Sequence, residues 1–223
     1  QYEKRVAIKL IKRGMDTESV LRHFRTERQI LAGFDHPNIA RMFDGGMTEN
    51  GLPYFVMEYV EGLPIDEYCN AQGLSISERL RIFQDVCAAV SYAHRHLVIH
   101  RDIKRSNILI TNEGVPKLLD FGIAKILQQG NTGEPLATVT SMRLMTPEYA
   151  SPEQVRGEPV TTTSDVYSLG VVLYETLTGH SPYHFRSQSP YDVAHAITET
   201  EPKKPSTTVA KADGKSKIEN RNY

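Results

Sequence analysis

The sequence predicts an α+β fold, with strands gathered in roughly the first sixty residues and helices dominating the remainder. Three observations carry that expectation. Strand-like runs stand at Val6 to Ile11, Ile39 to Phe43 and Leu52 to Tyr59. Capped segments with helical periodicity follow from Ser75 and from Thr161. Between those helices an Ile108-Leu109-Ile110 run, an Asn112-Glu113-Gly114 turn and Leu118-Leu119 read as a short β-hairpin. With 223 residues, 39% hydrophobic and 24% charged, the chain can build one large domain or two small lobes sharing a core.

In order, the chain opens with Val6-Ala7-Ile8-Lys9-Leu10-Ile11, one lysine among strand formers. Asp16 to Phe34 has a cap signal at Asp16-Thr17 and apolar residues Val20, Phe24, Leu31 and Phe34 at helical spacing. Glu27 falls on that apolar face, where an unpaired charge is costly and pairing with Lys9 removes the difficulty. His36-Pro37-Asn38 stops the helix, and two strands follow, joined by the turn-rich Asp44 to Gly51. Ser75-Ile76-Ser77-Glu78 is a capping box opening a helix with Leu80, Phe83, Val86 or Cys87, Val90 and Leu97 inward. This helix delivers the chain to His100. A polar stretch with Gly130, Gly133, Pro135 and several hydroxyls separates Asp120 from Ser151-Pro152-Glu153 and reads as a loop. Thr161 to Ser164 cap a helix from Asp165 whose apolar face is Val166, Leu169, Val172, Leu173 and Leu177. Beyond the apolar Val193 to Ile197, residues Thr198 to Tyr223 are almost entirely polar and expected to be disordered.

Composition excludes several classes. Lys plus Arg is 26 and Asp plus Glu is 27, so a net charge of -1 gives no pull toward nucleic acid or anionic membrane. Cys69 and Cys87 form no C-x-x-C pair, which fits a reducing compartment, and a cytoplasmic location is expected. The apolar run Leu169 to Leu173 is far short of the roughly twenty residues that span a bilayer. His94, His96 and His100 offer a zinc reading, weakened because His94 and His96 lie on different faces of a helix end.

The chemistry concentrates in His100 to Gly122. The hairpin returns Asn107 and Asp120 to neighbouring strand ends, and an amide oxygen beside a carboxylate suits Mg2+. Asp102, five residues before Asn107, is then placed to accept a hydroxyl proton. The run His100-Arg101-Asp102-Ile103-Lys104-Arg105-Ser106-Asn107, followed by Asp120-Phe121-Gly122, resembles the protein kinase family, with its H-R-D-x-x-x-x-N catalytic loop and D-F-G. The resemblance implies Asp102 as catalytic base, Asn107 and Asp120 as magnesium ligands, Phe121 and His100 as packing residues, and Lys104 as the mark of the serine/threonine class. Arg105 departs from the proline many relatives carry there. Val6-Ala7-Ile8-Lys9 matches the strand whose lysine holds the ATP α- and β-phosphates and pairs with a helix glutamate, here Glu27. By the same resemblance Glu58 and Val60 offer backbone groups to adenine, Met57 backs its pocket, and Ala7 and Leu109 sandwich the purine. Asp165 would hold the catalytic loop's backbone, and Thr146 would bond Asp102 and Lys104, although Met145 stands where glycine is usual.

The resemblance spans roughly residues 3 to 200, and wording such as Tyr149-Ala150-Ser151-Pro152-Glu153-Gln154 is nearest to bacterial serine/threonine kinases. It implies a two-lobed, protein-kinase-like fold: residues 1–60 a partial β-rich lobe with one helix, 61–200 a partial, mostly helical lobe, 201–223 a tail. The implied function is transfer of the ATP γ-phosphoryl group to Ser/Thr hydroxyls of proteins, with ATP and Mg2+ bound. The alternative is a catalytically inactive, pseudokinase-like nucleotide-binding or docking module. No G-x-G-x-x-G loop precedes Lys9, and the final helices are lacking. The chain is therefore expected to be a weakly active fragment without its first two strands and terminal helices, with an open sheet edge at Val6 to Ile11 and Glu153 short of an arginine partner. Self-association with autophosphorylation at Thr138 or Thr140 is expected, Arg101 pairing with the phosphate.

Overall fold

Alternation decides the first strand. In β1 (Val6–Leu10) Val6, Ile8 and Leu10 are exposed while Ala7 and Lys9 turn to the half-covered face. The computed structural model describes residues 4–10, 29–121, 147–185, 187 and 189–209. β3 (Pro53–Glu58) pairs antiparallel with β1, Ala7 opposite Met57 and Lys9 opposite Phe55, and β2 (Met42–Met47) pairs with the other side of β3. The strand expected over Ile39 to Phe43 therefore lies further along. Gly45 and Gly46, read as turn residues, continue it because Gly46 lies under Tyr54, whose phenol oxygen would be 2.8 Å from a Cβ there. A cross-strand ring covers the gap a glycine leaves in a sheet. Ile39 instead bridges Leu118 in parallel, and the Leu118 N–H donates to the Asn38 carbonyl at 2.8 Å, sewing the small sheet to the hairpin.

Of the helix expected over 16–34, residues 29–32 are helical, and Leu31 and Phe34 are buried; Val20, Phe24 and Glu27 lie outside the described residues.

The expected hairpin forms from β5 (Ile108–Thr111) and β6 (Pro116–Leu118), turning through Gly114 at φ +83°. A third strand, β4 (Gly62–Pro64), was not expected and pairs with β5. Its signal was Gly62, where a Cβ would sit 2.3 Å from the Ile110 carbonyl oxygen.

The short helix α1 (Ile65–Ala71), also unexpected, buries Ile65 and Cys69. In α2 (Ile76–Arg95) the capping box forms as expected, the Ser75 N–H donating to the Glu78 carboxylate at 2.8 Å. Phe83, Val86, Ala89, Val90 and Ala93 make its buried stripe. Leu80 is exposed, and Leu97 leaves the stripe because the helix ends at Arg95 and Leu97 takes φ +61°, which turns its side chain out to 93% exposure. A 3-10 turn at Pro147–Tyr149 leads to α3 (Pro152–Arg156), α4 (Thr162–Thr178) and α5 (Pro190–Glu199). α4 begins three residues before Asp165, since Thr161 rather than Ser164 is its cap. Val166 is exposed, and the buried face carries polar Asp165, Ser168, Glu175 and Thr176 among Leu169, Val171 and Val172.

Two further expectations are corrected. Glu153, expected to be short of an arginine partner, is not left unpaired, because the Ser164 hydroxyl donates to it. Burial alone would raise its carboxyl, but that bond and others outweigh it and hold the group below the usual carboxylate range. The polar tail is helical over 205–209, and Thr208 Oγ1 shares a 2.8 Å hydrogen bond with the Tyr174 hydroxyl. One core joins Leu31, Phe34 and Phe55 of the sheet lobe to Ile65, Val86, Ile108 and Val172 of the helical lobe.

Candidate active site

The site rests on a buried carboxylate. Asp165, 1% exposed in the first turn of α4, accepts the His100 N–H at 2.8 Å on Oδ2, the Arg101 N–H at 2.8 Å on Oδ1, and His94 Nε2 at 2.7 Å. It thereby holds the loop's backbone, with Arg101 in a left-handed conformation at φ +64°. His100 is fully buried; its Nε2 donates to the Leu119 carbonyl at 2.8 Å, and its Nδ1 accepts the Asp102 N–H at 3.3 Å. That pairing requires the neutral ring. Burial is the chief cause holding its pKa below the ordinary histidine value.

Three predicted residues meet at one oxygen. Lys104 Nζ lies 3.0 Å from Asp102 Oδ2, and Asn107 Nδ2 donates to the same oxygen at 3.0 Å and to the Asp102 carbonyl at 2.8 Å. The 3-10 turn Arg105–Asn107 folds Asn107 back to make these contacts. With its nitrogen committed to Asp102, Asn107 keeps its amide oxygen as the group for a cation.

The hairpin brings the fourth residue alongside. The Leu119 N–H donates to the Asn107 carbonyl at 2.8 Å, which sets Asp120 next to that strand end. Lys9 Nζ is 3.3 Å from Asp120 Oδ1, close enough for an ion pair but off the hydrogen-bonding direction, so this buried oxygen has no aligned donor among the described residues. Asp120 itself sits at φ +47°, unfavourable for a residue with a Cβ. A buried carboxylate oxygen without a donor, beside an amide oxygen, fits Mg2+, which takes few protein ligands and completes its shell with water and phosphate oxygens. Phe121 packs edge-on against Phe34 and tilted against His100, with ring centres 5.4 and 4.7 Å away.

Lys9, Met57, Phe34, Asp120 and Phe121 line one small cleft. Beyond it Glu58 spends its N–H on the Arg41 carbonyl at 2.8 Å, so a base contact there falls to the Glu58 carbonyl. Its side chain, unremarked in the sequence, accepts the Arg41 N–H at 3.0 Å and pairs with Lys117 Nζ at 3.0 Å. Burial would raise this carboxyl; Arg41 and Lys117 together hold it below its usual range. Val60 and Leu109 are half-buried, Leu109 opposite Lys117 in the hairpin. Glu27, Thr138, Thr140, Met145 and Thr146 lie outside the described residues. The three histidines of the zinc reading go separate ways: His94 to Asp165, His96 Nδ1 to the Tyr92 carbonyl, His100 to Leu119.

Sequence reasoning missed one cluster beside the loop. The Arg105 guanidinium donates to the Tyr149 hydroxyl at 2.8 Å, to Asp66, and lies 3.1 Å from Glu175. Its departure from proline was the available signal.

Residues 1–219 match the protein kinase domain. The chain is 42% identical over 206 residues to serine/threonine-protein kinase PknB of Mycolicibacterium smegmatis, covering 90% of this chain and 32% of that protein. It is 40% identical over 200 residues to serine/threonine-protein kinase PrkC of Bacillus subtilis, covering 89% and 30%. The chain thus spans about a third of the length of the curated relatives it matches. With its motifs meeting at Asp102 and Asp120 and its small antiparallel sheet set on a helical lobe, the chain belongs to the protein kinase family.

Proposed function

We propose that this domain transfers the γ-phosphoryl group of ATP to serine or threonine hydroxyls of proteins. The observation that carries the reading is the convergence of Lys104 and Asn107 on Asp102, one hairpin away from the Lys9–Asp120 pair. Two donors on Oδ2 fix the plane of the carboxylate, so it is oriented to receive the proton of a hydroxyl presented to it. The hydroxyl oxygen then bonds to the γ-phosphorus, the bond from that phosphorus to the β,γ-bridging oxygen breaks, and ADP leaves. Lys104 faces the same carboxylate and supplies positive charge where the transferring group passes. Lys9 would hold the α- and β-phosphates, while Asn107 and Asp120 would hold Mg2+, which when bound neutralises phosphate charge. Adenine is taken to lie against Met57, the Glu58 carbonyl and Val60, between Ala7 and Leu109. On this reading residues 1–60 and 61–200 are the two lobes, and Glu27 joins Lys9.

Both cysteines are free thiols, and no described helix is long and apolar enough to cross a membrane; a cytoplasmic site of action rests on ATP supply and this thiol state. Self-association for phosphorylation of Thr138 or Thr140 belongs to the same proposal. The test is transfer of labelled γ-phosphate to a serine/threonine peptide library in the presence of Mg2+. No labelled peptide from a sample that binds ATP would overturn the reading.

A further inference from the structure

Arg105 stands in the catalytic loop three residues after Asp102 and directly after Lys104. It reaches three elements far apart in sequence. The guanidinium bonds Asp66 in α1, donates from Nε to the Tyr149 hydroxyl at 2.8 Å, and lies 3.1 Å from Glu175 in α4. Tyr149 closes the network by donating to Glu175 at 2.7 Å. Glu175 is 6% exposed, and burial, its largest influence, raises its pKa despite the Tyr149 bond and the guanidinium. Removing the guanidinium would take from Asp66 and Glu175 the cation they share. A planar, permanently charged group with several fixed donors is suited to joining three partners at once, and an ammonium is not.

The network's place gives it a consequence beyond packing. Tyr149 ends the 3-10 turn Pro147–Tyr149, the first described residues after Phe121. Three peptide units link Arg105 to Asp102, so the two Cα atoms lie within about 11 Å. All three partners belong to the helical lobe, whereas Lys9 and Met57 come from the sheet β1-β3-β2.

We propose that Arg105 is a positioning residue that holds the Tyr149 turn, and with it the surface receiving the protein substrate, in register with Asp102. The substrate-receiving part rests on the kinase reading above; the holding of the turn does not.

The experiment compares Arg105→Ala, Arg105→Lys, Tyr149→Phe and the Ala/Phe double variant with the unsubstituted full-length protein. Amide hydrogen exchange and steady-state kinetics are measured on each. For Arg105→Ala, exchange at residues 147–150 rises while residues 54–58 stay unchanged. Peptide kcat/KM falls about tenfold or more, the scale expected for a misplacement well under 1 Å, and the KM for ATP stays within about twofold. Arg105→Lys recovers part of the loss, and the double variant is no worse than Arg105→Ala because both act through one network. Unchanged exchange at 147–150 would overturn the proposal. So would faster exchange throughout the domain with both KM values moving together, which is plain loss of stability. Failure of the unsubstituted protein to phosphorylate any peptide would remove the proposed function instead, and the exchange data would still decide whether Arg105 holds the turn.

Discussion

At Asp102 two donors share one oxygen while Asp120, one hairpin away, keeps an oxygen with no aligned donor among the described residues. The two aspartates therefore answer substitution differently. Asp102→Asn removes the proton acceptor and leaves the ATP contacts in place, so transfer should fall by about 10²- to 10⁴-fold, the usual contribution of a general base, with nucleotide affinity nearly unchanged. Asp120→Asn removes charge from the proposed cation site, so Mg-ATP affinity itself should drop. Titration of a fluorescent nucleotide with and without Mg2+ separates them, and equal affinity losses would refute the division of roles. Asn107 is the link between them: its nitrogen serves Asp102, and its oxygen is the group left for the proposed cation. Asn107→Asp, which places a carboxylate where Nδ2 donates, should cost transfer even where nucleotide still binds.

Among the elements, β4 lies close against β5, and β3 is tied to β6 by an ion pair. Gly62 lets β4 approach Ile110, and Gly62→Ala would place a methyl 2.3 Å from that carbonyl oxygen. Overpacking of this kind costs about 1–3 kcal/mol, and in a domain of this size each kcal/mol lowers the thermal midpoint by about 2–4 °C. Calorimetry should show that shift, and an unchanged midpoint would mean the strand can move aside. The Glu58–Lys117 pair joins the last residue of β3 to the middle of β6. Because the Glu58 carboxyl is held below its ordinary value of 4.5, its contribution is present above that pH and is lost as pH falls through the folded-state value. Glu58→Gln should therefore unfold at a lower temperature than the unsubstituted protein near neutral pH, and the two should converge in acid.

For the whole molecule, the buried histidine under the loop sets a limit on the acid side. His100 is held neutral, its pKa below the ordinary 6.5, so the unfolded chain binds a proton the folded one refuses. Stability should be fully present above about pH 6.5 and should decline below it, before the carboxylates titrate. Replacing the ring with His100→Asn should lower the midpoint at neutral pH and flatten its decline between about pH 6.5 and 5. A decline just as steep in the variant would assign the acid sensitivity to other groups.

Local chemistry made much of this readable in one dimension. The strand Val6–Leu10, the capped helix from Ser75 and the hairpin through Gly114 follow from alternation, caps and turn residues acting within a few positions of one another, while the set Asp102, Lys104, Asn107 and Asp120 is what the resemblance to protein kinases implies. Where long-range contacts outweigh local preference, the chain did not disclose the outcome. Gly46 stays in a strand because Tyr54 covers it, β4 exists because Gly62 admits a neighbour, and α4 buries Asp165 and Glu175 because loop backbone, Tyr149 and Arg105 bond them. Asp66, Tyr149 and Glu175 are separated by more than a hundred residues end to end and become one network only around Arg105. A sequence records which groups a chain owns, but a buried charge needs particular partners at about 3 Å, and only the folded packing decides which residues provide them.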